Sequence, residues 1–103
     1  MLALPPAAAA QAYAAPRFAP PNLSASGVRA LAANCAQCHG TEGRTVPDSA
    51  IPALAGRSRE ELAALLESFK AGSRPATVMD QIAKGYSDEE IAALADYFSR
   101  RRR

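Results

Sequence analysis

Apolar residues recur at i, i+3, i+4 and i+7 over three stretches of the chain, the spacing that gathers side chains onto one face of a helix. Val28, Leu31, Ala32 and Cys35 form the first such face, between Ser24 and Cys35. Leu62, Leu65, Leu66 and Phe69 form the second, opened by an S-x-x-E pair, Ser58 with Glu61, and stopped by Gly72. Ile91, Leu94, Ala95 and Phe98 form the third behind another such pair, Ser87 with Glu90. A shorter apolar stretch, Val78, Met79 and Ile82, ends at Gly85 and predicts one or two helical turns. Residues 40–57 hold Gly40, Gly43, Pro47, Pro52 and Gly56, too many breakers for regular structure. They predict a long loop, and an irregular loop of that length in a small domain usually wraps something functional. No segment alternates as a strand does and no repeat is visible, so the predicted fold is all-α.

The opening residues are of another kind. The stretch "MLALPPAAAAQAYAAP" is apolar and rich in small residues, with A-x-A patterns at 10–12 and 12–14. Residues 1–22 therefore read as an export-signal remnant or an extended Ala/Pro arm, although no positively charged region precedes the apolar part. The predicted domain is 23–99, followed by a basic tail at 100–103. No run approaches the roughly 20 apolar residues needed to cross a bilayer, so no transmembrane segment is predicted.

Net charge is +2, but four of the twelve basic residues are the terminal run Arg100, Arg101, Arg102 and Arg103, leaving eight against ten acidic ones. The body is slightly acidic. A nucleic-acid binder would spread arginines over one face and interleave aromatics, whereas the chain has three Tyr, three Phe and no Trp, which excludes that class. The tail reads as a solvated helix end whose cations suit the negative pole of the helix dipole. A globular part this small sits near the limit of self-sufficiency, which favours a staple, a metal or a cofactor.

The chemistry is concentrated in "NCAQCHGTEG". Cys35, Cys38 and His39 are the only two cysteines and the only histidine. A thioredoxin-like disulfide needs a βαβ context that is missing. Structural zinc wants four Cys or His ligands, and three are available. A catalytic cysteine wants a separate histidine base, and His39 adjoins Cys38. Covalent haem uses all three: in C-x-x-C-H the thiols add to the porphyrin vinyl groups as thioethers, and the next residue presents an iron ligand. One helical turn sets the cysteines apart by the required spacing.

With "CAQCH", "PALAG" at 52–56 and a lone late methionine, the chain resembles the class I c-type cytochromes from about residue 24 to 99. The resemblance implies that family's fold, three main helices plus a short helical turn and loops wrapped around one covalently bound haem c. It implies that Pro52 offers its carbonyl to His39, that Leu54 packs on the haem, and that Met79 is the second axial ligand beside His39. It further matches Gly27 and Leu31 on the first helix with Leu94 and Tyr97 on the last. Two weaker sites follow: Arg57, beside a haem propionate or simply solvated, and Tyr86, at the haem edge or covering the last helix.

With both axial positions filled and no other acid, base or nucleophile constellation, the expectation is an electron carrier and not an enzyme. The leading reading is a periplasmic monohaem cytochrome passing single electrons between redox protein partners. The alternative rests on residues 73–98, "SRPATVMDQIAKGYSDEEIAALADYF", which resemble the cytochrome subunits of flavocytochrome c sulfide dehydrogenases. That resemblance implies a haem-bearing subunit that accepts electrons from a flavoprotein.

Overall fold

A computed structural model of the chain describes residues 23–103; the export-signal or Ala/Pro arm expected over 1–22 lies outside them. Among the described residues four helices run in order: α1 Ala25–His39, α2 Arg59–Ala71, α3 Met79–Lys84 and α4 Asp88–Ser99. A 3-10 turn, Thr41–Gly43, follows α1 directly, and there is no strand among the described residues. The all-α architecture expected of a class I cytochrome c is the observed one.

Three of these helices begin at a serine cap, and α3 has no side-chain cap. Ser24 caps α1, its hydroxyl accepting from the Gly27 amide at 3.2 Å, and Ser58 caps α2 through the Glu61 amide at 2.9 Å. The two S-x-x-E pairs differ in outcome. Ser87 and Glu90 close a full reciprocal box at the start of α4, with the Glu90 carboxylate accepting from the Ser87 amide at 2.7 Å. At α2 only the serine half forms, and the Glu61 carboxylate instead takes the Arg57 guanidinium at 2.9 Å. Gly72 ends α2 in the left-handed conformation, φ 77°, which a Cβ disfavours.

Helix α2 packs against α3 and α4, and α1 packs against α4. The predicted face of α4 is the centre of the molecule: Ile91, Leu94, Ala95 and Phe98 are all buried, and each large side chain removed from water is worth about 1.5–3 kcal/mol. Ala32 of α1 and Leu62 of α2 complete that cluster, with Leu31 and Tyr97 packed on its edge where α1 meets α4. Among the described residues this core is thin, since four of its eight buried hydrophobic residues are the alanines Ala32, Ala55, Ala83 and Ala95. On α3 the buried residue is Ala83, while Ile82 stays exposed, as does Val78 just before the helix.

The long segment after α1 is tied back at both ends. The Gly43 carbonyl accepts from the amides of Leu54 (2.8 Å) and Ala55 (3.2 Å), and the Gly56 amide donates to the Phe98 carbonyl at 2.9 Å. Two turns in it demand glycine. Gly40 has φ 87° and ψ 162°, a region essentially reserved for glycine, and a Cβ there would run into the backbone carbonyl of Arg44. A Cβ on Gly43, φ +76°, would lie 2.8 Å from the Phe98 ring. Gly40→Ala is therefore expected to lower unfolding stability by about 2 kcal/mol or more, read as an earlier denaturation midpoint with an unchanged slope.

Three of the four terminal arginines are exposed, and all four make contacts. Arg100 pairs with Asp96 at 3.0 Å, Arg101 with Glu42 at 3.3 Å, the Arg102 carbonyl accepts from Arg44 Nε at 2.6 Å, and Arg103 donates to the Gly56 carbonyl at 3.3 Å. Asp96 is on α4 itself, whereas Glu42, Arg44 and Gly56 lie in the loop that the sequence pattern leaves open. Helix-dipole chemistry at α4 therefore gives way to tertiary contacts.

Candidate functional site

The site is assembled around the end of α1. Helical spacing puts Cys35 and Cys38 one turn apart, and both line an apolar cavity of about 560 Å³. Neither is part of a disulfide. Cys35 is half-buried and Cys38 exposed. Burial pushes the Cys35 thiol up, opposite to the shift that activates a nucleophilic cysteine. His39, the last residue of α1, is buried at 8% exposure. Its Nδ1 stands 2.7 Å from the Pro52 carbonyl oxygen. A carbonyl can only accept, so this bond requires the proton on Nδ1 and leaves the Nε2 lone pair as the ring's available donor to a metal.

Leu54, Leu65, Leu66, Phe69, Met79 and Tyr86 face the same space, and none of them is fully buried. Leu54, Leu66 and Tyr86 also pack on the core cluster, so large apolar side chains bridge core and cavity, while alanines make up half of the buried hydrophobic residues described. A flat apolar body of cofactor size, within the 300–1,000 Å³ common for such sites, would complete that core. The donor set agrees with haem: one fixed imidazole, one thioether and two thiols one turn apart. No group of three or more His, Cys, Asp or Glu side chains among the described residues is arranged to hold a bare metal ion. Haem c therefore fits the residues present.

All six predicted site residues, Cys35, Cys38, His39, Pro52, Leu54 and Met79, line this one cavity. Of the two weaker sites, Arg57 reaches the cavity while pairing with Glu61. Tyr86 both lines the cavity and packs on the core cluster. Burial, followed by the neighbouring Cys35, pushes its phenol up. Lys70 holds this corner by donating to the Tyr86 carbonyl at 2.6 Å and to Asp88 at 3.3 Å.

One contact group had no signal in the chain. Glu42, two residues after Gly40 and in the left-handed region at φ 57°, accepts from the Tyr97 hydroxyl at 2.9 Å and from Arg101 at 3.3 Å. The Arg101 guanidinium in turn sits 4.2 Å from the Tyr97 ring centroid. These bonds span more than fifty residues and pin the turn that follows His39 to the far end of α4. The Tyr97 hydrogen bond, then Arg101, holds the Glu42 carboxyl below its ordinary value. A carboxyl lowered on folding stabilises the fold above its unfolded pKa and loses that contribution as pH falls through its folded pKa. Glu42→Gln should therefore flatten the decline in stability on acidification below about pH 4.5, measured by denaturant titrations from pH 6 to pH 3.

Comparison with known proteins decides the family. Residues 22–98 match the family model described as cytochrome C oxidase, cbb3-type, subunit III. The chain belongs to this cytochrome c family. It is 48% identical over 68 residues to the cytochrome subunit of sulfide dehydrogenase from Chlorobaculum tepidum, covering 66% of this chain and 60% of that protein. A cytochrome c-553 of Helicobacter pylori is 40% identical over 77 residues, 73% of this chain and 78% of that one. The thiosulfate dehydrogenase electron acceptor of Stutzerimonas stutzeri is 41% identical over 68 residues, 63% of this chain but only 31% of its own length. The chain thus spans about three fifths of the first of these relatives and under a third of the last. As a member of this family it carries covalently bound haem c. No helix among the described residues is long and apolar enough to cross a membrane.

Proposed function

We propose that the chain is a periplasmic monohaem cytochrome in which Cys35 and Cys38 hold the haem by thioethers and His39 and Met79 are its axial ligands. The observation that carries this reading is the convergence on one apolar cavity of His39, held through Pro52, with Cys35, Cys38 and Met79. Bound haem supplies the one-electron couple, and a Met/His pair sets it at higher potential than two nitrogen ligands.

The protein's own groups do the rest. The Pro52 carbonyl keeps the His39 proton on Nδ1 and the ring from rotating. Leu54, Leu65, Leu66 and Phe69 exclude water and lower the local dielectric, which limits reorganisation when the charge changes by one. The domain would comprise 23–99, with 1–22 serving export. Redox proteins are the partners, met transiently through small surfaces. The test is a reduced-minus-oxidised visible spectrum with a pyridine haemochrome assay on protein from the periplasmic fraction. One haem of the c type per chain supports the reading, and haem extractable by acidified organic solvent refutes it.

The 48% identity to a sulfide dehydrogenase cytochrome subunit favours a second reading, in which the chain accepts electrons from a flavoprotein. A stable complex with a flavoprotein on purification from the native source would select the subunit over the free carrier.

A further inference from the structure

A second concavity lies outside the haem cavity, on the other side of the 52–56 segment. Ala53 and Ala55 line it while Leu54 lines the haem cavity, and Pro52 and Arg57 reach both. This recess, about 610 Å³, is walled by Arg44, Arg57 and Arg103. The three come from separate parts of the chain: the turn after the haem-binding motif, the entry to α2, and the end of the terminal run. Three arginines line it beside one carboxylate side chain, Glu61, which Arg57 already takes at 2.9 Å.

Arg44 and Arg103 have no carboxylate within ion-pair distance among the described residues, although Arg44 contributes to the field that lowers Glu42. Each is instead held by one hydrogen bond to a backbone carbonyl, Arg44 Nε to Arg102 and Arg103 Nη2 to Gly56. Such a bond fixes the guanidinium and leaves most of its N–H groups for another acceptor. Gathering cations against their mutual repulsion is unfavourable unless an anion offsets it.

We infer that this recess binds a small oxoanion of the phosphate or sulfate class, gripped by the Arg44 and Arg103 forks with Arg57 completing the positive wall. Planar guanidinium groups match the paired oxygens of such an anion better than point charges do. The recess adjoins the haem cavity, sharing Pro52 and Arg57 with it, and needs no change in the fold.

The test is a titration of the haem-loaded protein with inorganic phosphate at constant ionic strength, balanced with chloride. Calorimetry and amide NMR of the reduced form follow the binding. Saturable binding is expected, with shifts centred on Thr45, Ala53 and Ala55. R44Q/R103Q should weaken it about tenfold or more, and R74Q, outside the recess, should leave it unchanged. If R44Q/R103Q loses its native NMR dispersion, R103Q alone is expected to weaken binding about threefold. No saturable binding, shifts centred elsewhere, or affinity in the recess variants within the error of the parent overturns the inference.

Discussion

Met79→Ala is expected to lower the reduction potential by on the order of 100 mV or more, because axial ligands set the potential of haem over roughly 0.8 V. Thioether sulfur is a poor donor to oxidised iron, so its loss favours the oxidised state. The variant should also bind carbon monoxide readily when reduced, since alanine offers nothing to the sixth position. Spectroelectrochemical titration of wild type and variant side by side measures both effects. An unchanged potential would refute the ligand assignment and leave Met79 as one of several half-buried side chains lining the cavity. Met79 opens the short helix α3, so its removal alters little of the core, which there is built on Ala83.

The second large effect concerns attachment. Cys35→Ala with Cys38→Ala should yield a chain that holds no haem after extraction with acidified organic solvent, whereas the parent retains it. The single variants should each keep one thioether and a haemochrome band shifted from the parent. Stability should fall with attachment, because a ligand bound only to the folded state stabilises it by mass action. Without the ring, Leu54, Leu65, Leu66 and Phe69 line a water-filled cavity of about 560 Å³, and the remaining buried core is half alanine. Urea titration of the double variant with and without added haem checks this dependence. Covalent haem in the double variant would sink the assignment of both cysteines.

These expectations draw on different levels of the chain. The helices were legible from local pattern because their signals are local: serine caps, a left-handed glycine and apolar residues at 3.6-residue spacing act within one or two turns. The proposed haem-binding motif rests on equally local spacing, since Cys35, Cys38 and His39 lie on adjacent turns of α1. The role of Pro52 came only with the family resemblance, and the 2.7 Å bond to His39 then showed which nitrogen carries the proton.

Where spacing is not local, the chain alone was silent. At Ser58 even a local signal was ambiguous, because Glu61 had a competing partner in Arg57 four residues earlier. The terminal arginines make the same point over a longer range. A basic run at a helix end satisfies the dipole rule wherever it points, but Arg101 and Arg103 find acceptors fifty-nine and forty-seven residues away. Sequence order carries no record of that approach. The local code thus assigned the elements and the chemistry held within one helical turn. Only tertiary packing decided that Glu42 would lock to Tyr97 and Arg101, and that Arg44, Arg57 and Arg103 would meet behind Pro52, since each needs the loop folded back on α4 before any contact exists.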